Sequence, residues 1–114
     1  MKLIDSDHSA LLARTMDALT LRQRISAANI ANIDTPDFKK LNVSFEEELQ
    51  RVQQRDGVRG MSQVRPEIVE TENAPEMEAE LLEMADTQIR VNVMTRSLRH
   101  HFELLRMGIT GVNR

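Results

Sequence analysis

The stretch EMEAELLEMADTQIRVNVMTRSLRHHFELLRM, residues 76–107, decides the fold class. Within it, positions 81, 84, 88, 91, 95, 98, 102 and 105 read Leu, Met, Gln, Val, Thr, Leu, Phe and Leu, a strict 3,4 spacing with six of eight apolar. Such a repeat turns one stripe of a helix toward a partner, so the stretch is predicted to be a coiled-coil helix. Pro75 suits its first turn and acids crowd its N-terminal half. Arg90, Arg96, Arg99 and Arg106 occupy the other half, in agreement with the helix dipole, and Gly108 stands where a C-terminal cap belongs. A second apolar line through Leu82, Ala85, Ile89 and Val93 widens the face.

Moving toward the N-terminus, residues 57–75 hold two Gly and two Pro, with brief alternation only between Gln63 and Val69. They read as an extended, mobile connection with room for one short strand. Ser44 as N-cap and Glu47 as its capping-box partner open a short helix whose Phe45, Leu49 and Val52 share a face. Residues 7–33 read as one long helix. Leu12, Met16, Leu19, Ile30 and Ile33 keep a 3,4 spacing interrupted by Gln23 and Ser26, and Leu11, Ala18, Leu21, Ile25 and Ala28 form a neighbouring seam. Asp34-Thr35-Pro36 ends it, because Pro lacks the N–H and pushes Thr35 out of helical space.

The expected fold is therefore all-α, a single domain over 1–114. An N-terminal helix reaches residue 35, a motif turn, short helix and flexible middle span 36–75, and a C-terminal helix spans 76–107. The two long helices are predicted to pack as an antiparallel coiled coil through Leu12, Met16 and Leu19 on one side and Leu81, Met84, Val91, Leu98, Phe102 and Leu105 on the other. Two helices of one small chain cannot cover two wide apolar faces each, so the surplus calls for neighbouring subunits.

Composition narrows function by exclusion. Three Phe, no Trp and no Tyr leave almost no base-stacking platforms, and the net charge of −3 comes with eight acids and no Lys or Arg between Glu67 and Asp86. Nucleic-acid binding wants a basic stripe instead. With no Cys there is no disulfide, thiolate ligand or cysteine nucleophile. No stretch approaches the about 20 apolar residues of a membrane span, and the start has no apolar run of signal-peptide length, so neither lipid insertion nor cleaved export is expected.

The search for chemistry is short. His100 and His101 are adjacent, about 100° apart on a helix, and cannot chelate one ion together, so no metal site is expected. The acids from Glu67 to Asp86 lack the glycine and ligand alternation of a calcium loop, and clusters such as Glu46-Glu47-Glu48 have no cavity to separate their pKa values. No phosphate-cradling glycine loop exists, and neither catalytic nor cofactor-binding residues are assigned. Met16, Met84, Met94 and Met107 read as gap-filling in a helical seam. Asn29 and Asn32 are different. Asn is a poor interior helix residue, and two of them three apart, flanked by Ala28 and Ala31, suit a close packing joint in which the amides bond to an adjoining backbone, expected to be that of a neighbouring subunit.

Residues 28–39, ANIANIDTPDFK, closely resemble the ANNLAN-x-x-TPGFK signature near the N-terminus of flagellar basal-body rod, hook and related axial proteins. The short length, Phe45 to Leu49 and the run from Glu83 to Asn92 are similar to the proximal rod members, whereas 57–75 matches poorly. The resemblance implies a non-enzymatic structural subunit, without cofactor, carried by the flagellar type III export apparatus without a cleaved signal. It implies helical homo-oligomerisation into the periplasmic rod of the basal body. The implied contacts are other rod proteins, adaptor subunits, the membrane-supramembrane ring and the export gate, with an assembly motif of Asn29, Asn32, Thr35, Pro36 and Phe38. Two positions depart from the pattern. Asp37 replaces the usual Gly, leaving either a type I turn or a strained type II, and Val91 stands where an aromatic is common. The competing reading is a cytoplasmic helical-hairpin adaptor or flagellar export chaperone.

Overall fold

A computed structural model describes the backbone of residues 2–112 and the side chains of 7–57 and 59–108. Five elements follow in order: α1 (Lys2–Ala31), β1 (Leu41–Ser44), α2 (Glu46–Met61), β2 (Glu67–Glu70) and α3 (Met77–Val112). Both long terminal helices are present, and they run antiparallel. Ser9 meets His101, Gln23 meets Gln88 and Asn29 meets Glu80, so the partner number falls as the first rises. The extents are 64 × 29 × 14 Å and the radius of gyration is 17.6 Å. A compact chain of this length would reach only about 13 Å, so this one is a strut with a small body beside it.

The fold is not purely all-α. β1 and β2 form a two-stranded antiparallel sheet with Leu41 opposite Glu70 and Ser44 opposite Glu67. Each strand has four residues; β2 lies where one short strand was expected, β1 was not expected, and Val43, Ile68 and Val69 have the β-branched shape that strands favour. The connection expected to be extended from residue 57 is more ordered than that. α2 continues through a kink at Gly57 (φ 69°, ψ −158°) to Met61, and β2 follows after a short turn. Ser44 is also not the N-cap. It ends β1, and Phe45 takes the cap position, its carbonyl accepting from the Leu49 N–H at 2.9 Å while Glu46, Glu47 and Glu48 place negative charge in the first turn.

The core is small and lies where α2 leans on the middle of α1. Ala18, Phe45, Val52 and Val64 form its buried cluster, with Leu49 and Met61 packed against it. Ile25 and Leu19 are buried further along α1. The wide apolar face of that helix is thus divided, one side to α3 and the other to α2 and β1.

The seam on α3 differs from the expected one by half its members. Met84, Val91, Leu98 and Leu105 are half-buried, but Leu81 and Phe102 are 54% and 56% exposed, and Gln88 and Thr95 are exposed too. Apart from Ala79, the buried or half-buried side chains described on α3 are 80, 84, 87, 91, 94, 98, 101 and 105, also a 3,4 spacing, in which Glu80, Thr87 and His101 replace apolar residues. An apolar count rejects that register, because three of its four alternate positions, 80, 87 and 101 but not 94, carry polar side chains. Gly108 does not cap α3, which runs through it to Val112.

A joint between the two long helices

The first helix ends in two asparagines with different work. Asn29 is buried, and its amide pairs with the backbone of Leu41: the Leu41 N–H donates to Oδ1 at 2.9 Å and Nδ2 donates to the Leu41 carbonyl at 2.9 Å. A primary amide carries donor and acceptor side by side as a peptide group does, so Asn29 adds one rung to the outer edge of β1. Nδ2 also donates to Glu80 Oε1 on α3 at 3.1 Å. One side chain therefore joins α1, β1 and α3. The amide expected to reach a neighbouring subunit is satisfied within its own chain.

Glu80 is 1% exposed, and a carboxylate so placed is costly unless partnered. Lys40, just before β1, brings Nζ to 3.2 Å from Oε1, so Glu80 has a charged and a neutral donor. Neither Glu80 nor Lys40 was singled out from sequence. Glu80 was hidden in the acidic run, and only the polar-tolerant register through 80, 87 and 94 marks it as inward-facing.

Asn32 acts locally. Its Nδ2 donates to the Ala28 carbonyl at 2.9 Å, and its Oδ1 accepts from Thr35 Oγ1 at 3.1 Å. Backbone bonds from Ile33 to Ile30 and from Thr35 to Asn32 tighten the chain as the helix unwinds. The turn then closes with the Phe38 N–H on the Thr35 carbonyl at 3.3 Å, with Pro36 at its second position and Asp37 at φ 61°. Positive φ at the third position makes this type II, so Asp37 takes the backbone conformation a glycine would. Phe38 is half-buried, while Thr35 and Pro36 are exposed.

A second tie lies midway along α1, where Arg22 donates to Glu46 in the first turn of α2. Burial alone would push the Glu46 carboxyl up. The Arg22 hydrogen bond, its own backbone N–H and the charges of Arg22 and Arg90 outweigh that and hold it below its ordinary 4.5. At the far end, His8 and His101 rings lie 5.5 Å apart and Ser9 Oγ is 2.7 Å from His101 Nε2. His100 is exposed. Among the described residues no three potential metal ligands gather.

Of the expected seam residues on α1, Leu19 is buried and Leu12 and Met16 are half-buried. The second apolar line on α3 is largely exposed: Leu82 is 68% exposed, Ile89 63% and Val93 56%. Ile89, Val93 and Met94 also border an open groove of about 350 Å³ whose other wall is Leu19, Phe45 and Leu49.

Residues 11–39, which run from the middle of α1 through the turn, match the family model described as Flagella basal body rod protein. The joint carries a rod-protein signature. The rod protein FlgB of Borrelia hermsii is 46% identical over 55 residues, 48% of this chain and 41% of that relative. FlgB of Borreliella burgdorferi is 55% identical over 38 residues, 33% of this chain and 28% of that relative. The chain is thus similar to flagellar basal-body rod proteins of the FlgB type, and the matched stretches span less than half the length of the FlgB relatives. The rod-protein match includes the residues that build the joint from the α1 side, Asn29, Asn32, Thr35 and Pro36, and leaves Lys40 and Glu80 outside it.

Proposed function

We propose that the chain is a structural subunit of the flagellar rod, not an enzyme, and that it forms one rod-type axial domain over 1–114. The observation that carries this reading is the coincidence of the rod-protein match with the α1 end and turn that fix α1 against α3. In this reading Asn29, Asn32, Thr35, Pro36 and Phe38 set the angle of the strut, and assembly uses what the single chain leaves uncovered. That uncovered surface is the α3 stripe of Leu82, Ile89 and Val93 with Leu104 and Met107. Such a stripe suits coiled-coil packing against helices of adjacent subunits, which repeat head to tail as a helical polymer. Other rod proteins, adaptor subunits, the membrane-supramembrane ring and the export gate are the proposed contacts. The proposed destination is the periplasmic part of the basal body, reached through the flagellar export machine without a cleaved signal.

Fractionation in a strain lacking flagellar export tests the reading. A rod subunit leaves the cytoplasm only when the export machine is intact and is recovered in isolated basal bodies. Retention in the cytoplasm of an export-competent strain refutes it and favours the adaptor or chaperone.

A further inference from the structure

The two edges of the small sheet are treated differently. Lys40 accepts from the Thr71 N–H at 2.9 Å and donates to the Asn73 carbonyl at 2.7 Å just outside the ladder. Alternation from there places the inner hydrogen-bonded pairs at Asn42 with Val69 and Ser44 with Glu67. The backbone groups of Leu41 and Val43, and of Ile68 and Glu70, then face outward. On the β1 side Asn29 takes both groups of Leu41. Among the described residues no third strand lies beyond β2, and all four residues of β2 are exposed, with Ile68 at 53% and Val69 at 44% on opposite faces. A two-stranded ribbon is marginal in water, and an open edge with apolar residues on both faces is a template for another strand.

Charge selects the occupant. Glu67 and Glu70 lie on the strand, Glu72 follows, and no Lys or Arg occurs from Glu67 to Asp86. The basic extended stretch of this chain, Lys39 and Lys40 leading into β1, is already engaged, since Lys40 pairs with Glu80 and β1 lies between β2 and the Asn29 amide. A second copy therefore has no free segment of that kind there to offer. We propose that the outer edge of β2 binds an extended segment of another protein with the order basic, apolar, apolar, basic. Glu67 and Val69 share one face and Ile68 and Glu70 the other, so such a segment sets a cation beside each acid and an apolar side chain beside Ile68 and Val69. The order reads the same in both directions, so either strand orientation satisfies it, and main-chain bonds to Ile68 and Glu70 supply the rest.

The test titrates the full chain, nitrogen-15 labelled, with a capped peptide containing Lys-Val-Ile-Lys, and with one containing Glu-Val-Ile-Glu. The basic peptide is expected to shift the amide signals of residues 67–70 and to slow hydrogen exchange at Ile68 and Glu70, and the acidic peptide to do neither. Ile68→Pro removes an outward N–H without touching the inner ladder, and is expected to weaken binding by about tenfold or more. The exposed pair Glu67→Lys with Glu70→Lys gives a second reading if the proline disturbs the sheet, and should exchange the preference to the acidic peptide. No protection at Ile68 and Glu70 with millimolar basic peptide, or equal binding of both peptides, overturns the proposal.

Discussion

Replacing Asn29 by Ala removes three hydrogen bonds at once, two to the Leu41 backbone and one to the carboxylate of Glu80. Each is worth about 1 kcal/mol net, and a partner left without water costs a further 1–3 kcal/mol or so. Leu41 is half-buried and recovers some hydration, and Glu80 keeps Lys40, so the loss comes to about 3 kcal/mol, within a range of about 2–5. At about 0.05 kcal/mol per residue for a marginal chain, that is half the total stability or more. Urea denaturation of the full chain followed by circular dichroism measures it. Asn32→Ala is the control, because its bonds stay within the half-buried helix end and its turn, and a loss of about 1 kcal/mol is expected there. Asn29→Asp sharpens the comparison. It keeps an acceptor for the Leu41 N–H but turns a carboxylate toward the Leu41 carbonyl and Glu80, so this variant should gain stability as the pH falls into the carboxylate range and the new group becomes a donor. Equal losses for Asn29→Ala and Asn32→Ala, or a loss below about 1 kcal/mol for the former, would refute the reasoning.

Glu46 supplies a pH dependence with a defined sign. Its folded pKa is lowered, so its contribution is fully present above the ordinary 4.5 and is lost as the pH falls through the folded value. Glu46→Gln should flatten the stability profile below that pH, as measured by thermal melts across the acid range. Gly57→Ala should cost about 1–3 kcal/mol in the same denaturation assay, because φ 69° with ψ −158° is nearly closed to residues with a Cβ. Apart from its chain neighbours and the adjoining helix backbone, nothing lies within 4 Å of the added methyl, so the cost is backbone strain. Asp37→Val should cost about 1–2 kcal/mol by urea titration, whereas Asp37→Gly should be neutral or stabilising, since φ 61° suits glycine. Phe45→Ala empties the centre of the only buried cluster among the described residues, and a loss of about 3–5 kcal/mol should remove most of the chain's stability, read as a large fall in the urea midpoint.

The long helices were legible because each repeats its apolar spacing over many turns, and the break at Thr35-Pro36 because proline acts through its own covalent structure. The sheet was legible only in part: the brief alternation between Gln63 and Val69 left room for one short strand, where β2 forms, but β1 gave no such signal and the pairing is set by contacts more than twenty residues apart. The register of α3 was half legible. Met84, Val91, Leu98 and Leu105 belong to both possible seams, and the choice between Leu81 and Glu80 rests on Lys40 and Asn29, which lie in other elements. An apolar count cannot see a buried acid that is satisfied from elsewhere. The asparagines were legible as a joint but not in their division of labour, because identical amides three residues apart differ only in which backbone each happens to meet.

Apolar seams alone tolerate sliding, because shifting one helix by a turn of about 5.4 Å exchanges one set of Leu and Met contacts for another. This pair is pinned at both ends by groups that cannot be exchanged, Asn29 with Glu80 at one and Ser9 with His101 at the other. The pins on α1, Ser9 and Asn29, are twenty residues apart, about 30 Å along the helix. A slip of a single turn would strand the Glu80 carboxylate without its amide partner, so the helix pair behaves as a gauge block: whatever is built on it inherits a fixed length.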